Sequence, residues 1–216
     1  MAEAASDIWW QVFITLAVTS GLRRSELLHL QWRDIDFAGG TVTVSTKRAG
    51  TFEAVGETYP ILEWSAKSNH ERTVPLPDDT LAMLQRLRLK TGGSAYVFLS
   101  LNRLAAIQRH IRDGKLQAKF NLVNNLNRQF GKIQDRARTI LGKRCQAKVE
   151  KIAWPYGCLH DLRRTWCTWT ADVVKMSTLQ KWAGHQDIAT TATYYCETTD
   201  DEAQRVRKAL SMAASA

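Results

Sequence analysis

A short alternating run, Thr41-Val42-Thr43-Val44-Ser45, follows Gly39-Gly40 and lies between stretches of helical period. Strict alternation turns successive side chains to opposite faces, so this run reads as a half-buried strand entered by a turn. Ile61 to Ala66 and Arg72 to Leu76 are two further strand candidates, joined by the turn Lys67-Ser68-Asn69-His70-Glu71. Upstream, Ile8, Val12, Phe13, Leu16 and Ala17 recur at helical spacing, which predicts an amphipathic helix over 7–19. Gly21 breaks it, and a second short helix carries Ser25 to Leu30. Downstream, Asp78-Asp79 can cap a helix through about Lys90 that Gly92-Gly93 ends. Tyr96 to Leu99 reads as extended, and 121–141 as a long basic helix. Another helix starts near His160 and runs past Trp169; Ser177 caps a short one that Gly184 terminates. A further helix begins near Asp187, and Asp200 to Met212 is a last amphipathic one. Few strands among many helices predict the α+β class: a mostly helical domain with a small three-stranded antiparallel sheet.

At 216 residues, 44% of them apolar, the chain suits one domain with a real core. Thirty Lys and Arg against 21 acidic residues leave a formal charge of +9, which favours a polyanionic partner, nucleic acid above all. Cys145, Cys158, Cys167 and Cys196 form no CxxC pair and read as reduced packing residues. The apolar run Ile8 to Val18 is interrupted by Gln11 and Thr15 and is too short to span a bilayer. It also lacks a basic segment before it, which argues against a signal peptide. A cytoplasmic chain is the expectation. Asp34 with Asp36, and Asp200 with Asp201, read as a turn and a helix cap; no histidine or further carboxylate joins them at ligand spacing, so no metal site is expected.

Three distant segments hold polar residues that a phosphate could use. They are Thr19-Ser20-Gly21-Leu22-Arg23-Arg24-Ser25-Glu26, then His160-Asp161-Leu162-Arg163-Arg164-Thr165, then Ala183-Gly184-His185 followed by Tyr194-Tyr195. Arginine presents a planar fork to two phosphate oxygens and keeps its charge at any working pH, which suits Arg23 and Arg163 to the non-bridging oxygens. Glu26, three residues beyond Arg23, can orient that guanidinium or simply make an exposed helix pair. His160 and Arg163 share one helical face. A phenol could attack the phosphorus, provided neighbouring positive charge favours the phenolate. On a helix Tyr194 and Tyr195 would point about 100° apart, so only one faces a given phosphate.

These segments resemble the boxes of the tyrosine recombinase (phage integrase) family, over residues 8 to about 210. Gly21, Arg23 and Glu26 match Gly-x-Arg-x-x-Glu, and His160 with Arg163 matches His-x-x-Arg. Ala183-Gly184-His185 stands where the family usually has Leu-Gly-His. The family places its nucleophile nine residues after that histidine, which selects Tyr194 over Tyr195. The segment Ala66 to Pro75 is similar to Gly-Lys-x-x-x-x-Arg-x-Val-Pro, making Lys67 the implied general acid, with Lys47 as the alternative. Residues 48–60 are extra to the pattern. The resemblance implies an integrase-like, DNA breaking-rejoining fold and site-specific strand exchange through a 3′-phosphotyrosyl bond, without cofactor or metal. It also implies double-stranded DNA as partner and a protein that is monomeric alone and a homo-tetramer on DNA. The 200–212 helix would dock on a neighbouring protomer, and an N-terminal core-binding domain is expected to be absent from this chain. Two other readings share these residues: relaxation of a single duplex in the manner of a type IB topoisomerase, and an inactive DNA-binding module.

Overall fold

The computed structural model describes residues 4–66, 71–114, 122–144 and 157–195. The chain divides into two compact units, Met1–Trp166 and Cys167–Ala216. In the first, α1 (Ile8–Ser20) starts where the Asp7 carboxylate accepts from the Trp9 amide and ends at Gly21 in the left-handed conformation. The expected apolar stripe is wider than an amphipathic helix needs: Trp10, Val12, Phe13, Ile14, Leu16 and Ala17 are all buried. The helix is therefore central to the unit. It packs on α3 (Asp78–Arg88), which turns Leu81, Leu84 and Leu87 inward. Pro77 occupies the cap position of α3, so Asp78 and Asp79 act in its first turn, where their charge complements the helix dipole. Trp9, Phe13 and Phe98 pack edge to face and face to face, with centroids 5.0–5.3 Å apart. Trp10 extends this cluster to Phe130 on α5 (Leu126–Arg144).

The three-stranded antiparallel sheet is present, with one member different from the expectation. Its order is β1 (Ile35–Asp36), β2 (Thr41–Val44), β5 (Arg72–Pro75). Register places Val42 opposite Val74 and Val44 opposite Arg72, and all four are buried. Residues 61–66 do not join this sheet. Ile61 ends β4 (Glu57–Ile61), which pairs with β3 (Gly50–Ala54) in a separate hairpin, and Trp64 makes only a bridge to Lys47. The extra stretch 48–60 is that hairpin. It buries Ala54 and Tyr59 against Tyr96, Leu99 and Leu104, the last on α4 (Leu101–Arg112). Helix α4, capped by Ser100, was not anticipated from the sequence. Tyr96–Leu99 is wholly buried but forms a single bridge, Gln31 with Tyr96, in place of a strand; the Val97 amide donates to the Leu30 carbonyl.

Helix α2 (Arg24–Leu28) follows Gly21, and α6 (Leu159–Ala171) opens at Cys158. In the second unit, α7 (Met176–Ala183) is capped by Lys175, with Ser177 inside its first turn, and ends at Gly184. Helix α8 (Ile188–Ala192) is capped by the Asp187 carboxylate, and Tyr194 follows it directly. The expected 200–212 helix and Lys67 lie outside the described residues.

Candidate active site

Gly21 turns the chain so that Arg23 enters α2 in an extended conformation at its cap position. Glu26, one turn in, reaches back: its Oε2 accepts from the Arg23 amide at 2.7 Å and its Oε1 from Arg23 Nη1 at 3.0 Å. A third group completes the cluster. Arg72 Nη2 donates to Glu26 Oε2 at 2.6 Å. The side chains of Glu26 and Arg72 are 1% and 3% exposed, whereas that of Arg23 is 24% exposed. Burial alone pushes the Glu26 carboxyl upward; the hydrogen bond and charge of Arg72, joined by those of Arg23, outweigh it and hold the group below its ordinary value. The carboxylate is ionised and fully engaged.

At the start of α6, Asp161 Oδ2 accepts from the Cys158 amide at 2.7 Å, which fixes the first turn. Arg163, two residues further, is buried and donates from Nη1 to the Gly21 carbonyl at 2.6 Å. The Trp166 ring packs so closely on Gly21 that a Cβ there would lie 2.1 Å from its Cε3. Arg23, His160 and Arg163 thereby line one pocket of about 250 Å³ together with Arg24, Asn127 and Cys158. Partial burial, then the nearby Arg163 charge, push the His160 imidazole below its usual value, with Asp161 opposing. Two guanidiniums beside a neutral imidazole suit an anion that needs several hydrogen-bond donors.

In the second unit, the His185 amide donates to the Gln180 carbonyl at 3.2 Å, and Nδ1 meets the buried Thr191 hydroxyl at 3.0 Å. The His185 and Tyr194 rings are stacked, 10° from parallel with centroids 6.2 Å apart. Tyr195 is occupied differently. Its hydroxyl donates to the Val174 carbonyl at 2.8 Å, and burial, with Cys167 nearby, pushes the phenol's pKa above its ordinary value.

Lys47, the alternative general-acid candidate, points into the core. It is 2% exposed, and its ammonium donates to Asp34 Oδ1 at 2.8 Å, to the Ser45 carbonyl at 3.0 Å and to Ser45 Oγ at 2.7 Å. Three donors meet three acceptors, so the ammonium's hydrogen bonds are all made within the protein. Asp34 is thus an ion-pair and turn residue, also accepting from the Gln31 amide, and Asp36 holds the Ala38 and Gly39 amides. Among the described residues no group of three His, Cys, Asp or Glu side chains could hold a metal ion, and no helix is long and apolar enough to cross a membrane. The residue the sequence reading passed over is Arg72. Its signal was available: it stands two before Val74 in a strand whose alternate positions face inward.

An α+β scaffold thus brings Arg23, His160 and Arg163, from segments far apart in sequence, around one pocket. The chain belongs to the phage integrase family, whose model matches residues 1–201. It is 29% identical over 202 residues to a tyrosine recombinase XerC-like protein of Caldanaerobacter subterraneus subsp. tengcongensis, covering 89% of this chain and 46% of that protein. It is 28% identical over 185 residues to tyrosine recombinase XerC of Xanthomonas campestris pv. campestris, covering 85% and 43%. The chain thus spans about half the length of the curated relatives it matches. Its fold is that of XerA recombinase (TM-score 0.60, 20% identity, 96% of this chain and 60% of that one). It is also that of the Tn1549 transposon integrase solved in complex with circular intermediate DNA (TM-score 0.57, 23% identity, 93% and 59%).

Proposed function

We propose that this chain is the catalytic part of a site-specific recombinase that cleaves and rejoins DNA strands through a 3′-phosphotyrosyl intermediate. The observation that carries the reading is the convergence of Arg23, His160 and Arg163, from segments far apart in sequence, on one pocket. Arg23 and Arg163 hold the non-bridging oxygens and stabilise the charge that grows on them as phosphorus becomes five-coordinate. His160 and His185 donate further hydrogen bonds to the phosphate. Tyr194 is the nucleophile: its phenolate oxygen bonds to phosphorus, the bond to the 5′-oxygen breaks, and Lys67 delivers the proton that the leaving oxygen needs. Religation is the same sequence reversed, with a 5′-hydroxyl attacking the phosphotyrosine. The linkage conserves the phosphodiester's energy, so neither a nucleotide cofactor nor a metal ion enters the scheme. Double-stranded DNA is the substrate, and the family resemblance supports a tetramer on two duplexes.

The engagement of the Tyr195 hydroxyl with Val174 favours Tyr194 as the attacking phenol. The test is a nicked duplex whose cleaved end diffuses away and traps the covalent adduct. Tyr194→Phe abolishes the adduct and leaves DNA binding near the unsubstituted level, because phosphate contacts come from other residues. Tyr195→Phe retains it. The opposite pattern moves the nucleophile by one position, and absence of adduct in the unsubstituted chain overturns the enzyme reading.

A further inference from the structure

The Glu26 carboxylate poses an electrostatic problem. A buried carboxylate paired one-to-one with Arg23 would orient that guanidinium but also cancel its charge, which is the property a phosphate clamp needs. Arg72 alters the balance. It brings a second, buried guanidinium to the same carboxylate, at 2.6 Å, so the three groups together carry one net positive charge. The backbone fixes it there. Arg72 begins β5, faces inward opposite Val44, and shares that face with the fully buried Val74. A one-residue slip of β5 would send it to solvent. Within the trio only Arg23 has substantial exposure, and it alone of the three lines the pocket with His160 and Arg163.

We infer that Arg72 is a positioning residue which takes up the charge of Glu26, so that Glu26 orients Arg23 without neutralising it toward the scissile phosphate. The inference rests on the recombinase reading for the identity of the phosphate. Arg72 touches no substrate; it acts through Glu26 and then Arg23. The charge element separates this role from simple packing. A substitution that keeps a hydrogen bond to Glu26 but removes the cation should impair handling of an anionic phosphate and spare a neutral one.

The test compares Arg72→Gln, Arg72→Lys and the unsubstituted chain in single-turnover cleavage at saturating DNA. Two nicked duplexes are used, one with an ordinary scissile phosphodiester and one with an uncharged methylphosphonate at that position. Arg72→Gln should slow cleavage of the phosphodiester by about tenfold to a hundredfold, the scale seen when the hydrogen-bond partner behind a metal ligand is removed. DNA affinity should stay within about twofold, since one internal charge is a small part of a multi-phosphate contact. On the methylphosphonate the defect should largely vanish, and Arg72→Lys should restore most of the phosphodiester rate. Equal defects on both linkages, or a lysine variant as poor as glutamine, would overturn the inference and leave Arg72 a packing residue. If the unsubstituted chain forms no adduct, the recombinase reading fails separately. The charge argument is then read from the Arg23 Nε–H resonance during titration with inorganic phosphate. Arg72→Gln must weaken that response, and an unchanged titration refutes it.

Discussion

Replacing Gly21 with alanine tests whether one residue both shapes the fold and places Arg163. Two costs follow from its surroundings. Its φ of +63° lies in the left-handed region, where a Cβ costs about 1–2 kcal/mol. The new Cβ would also lie 2.1 Å from Trp166 Cε3 and 2.5 Å from Cδ2. A rigid indole cannot rotate one atom out of the way, so α6 or the α1–α2 turn must shift, an overpacking cost of about 1–3 kcal/mol. Taken together, about 3 kcal/mol corresponds to a fall of roughly 6–12 °C in melting temperature for a unit of this size. Gly56→Ala is the control. Its φ is +75° but nothing lies within 4 Å of the added carbon, so only the conformational cost remains, roughly 2–8 °C. Thermal unfolding followed by circular dichroism gives both values. Equal falls for the two variants would refute the steric argument. The Gly21 carbonyl is also the 2.6 Å acceptor for Arg163 Nη1, so a shift here moves the clamp. Measured well below both melting temperatures, Gly21→Ala should therefore cleave a nicked duplex at least about tenfold more slowly, while Gly56→Ala cleaves normally. A destabilised Gly21→Ala that cleaves at the full rate would separate the glycine's packing role from any role in placing Arg163.

The two lysines should behave oppositely. Lys67→Ala should slow cleavage of an ordinary phosphodiester by several orders of magnitude and be rescued when sulfur replaces the bridging 5′-oxygen, because a thiolate leaves without a proton. Lys47→Met strips the cation from buried Asp34 and should cost about 3–5 kcal/mol in denaturant unfolding, with no sulfur rescue. Sulfur rescue of Lys47→Met would move the general-acid role to Lys47. Stability should also depend on pH through His160 and His29, both held below the ordinary value of 6.5. Burial is the leading cause for each; the Arg163 charge adds to it at His160 and that of Lys47 at His29, where a hydrogen bond to Ser25 opposes. The unfolded chain binds protons more readily at these sites, so their contribution is intact above about pH 6.5 and is lost as pH falls through the lower folded values. Urea midpoints measured from neutral to mildly acidic pH should fall, and His29→Gln with His160→Gln should flatten the slope. An unchanged slope in that double variant would assign the pH dependence elsewhere.

What could be read from the sequence was what local chemistry decides. Gly21 and Gly184 end helices because a left-handed residue closes a helix, and Asp187 opens one because its carboxylate takes a free amide; each rule acts within a few residues. The third strand of the sheet escaped because Ile35–Asp36 is too short for alternation to register. Residues 61–66 looked like a strand because apolar side chains recur there, yet Leu62 donates its amide to the Tyr96 hydroxyl and Trp64 pairs with Lys47 instead. The burial of Lys47 is equally non-local: a 3₁₀ turn delivers Asp34 to it, and no spacing around Lys47 announces that pairing. Arg72 stands between these cases. Val42 and Val44 fix the inward face of β2, antiparallel register then fixes that of β5, and the alternation places Arg72 inward with Val74. A cation on an inward face requires a buried anion. The chain supplies one in Glu26, already committed to Arg23 by its position one turn into α2. The strand pattern therefore demands a buried partner for Arg72, and the arginine box holds a carboxylate that needs a second cation. The sheet and the proposed phosphate clamp are joined at that single shared charge.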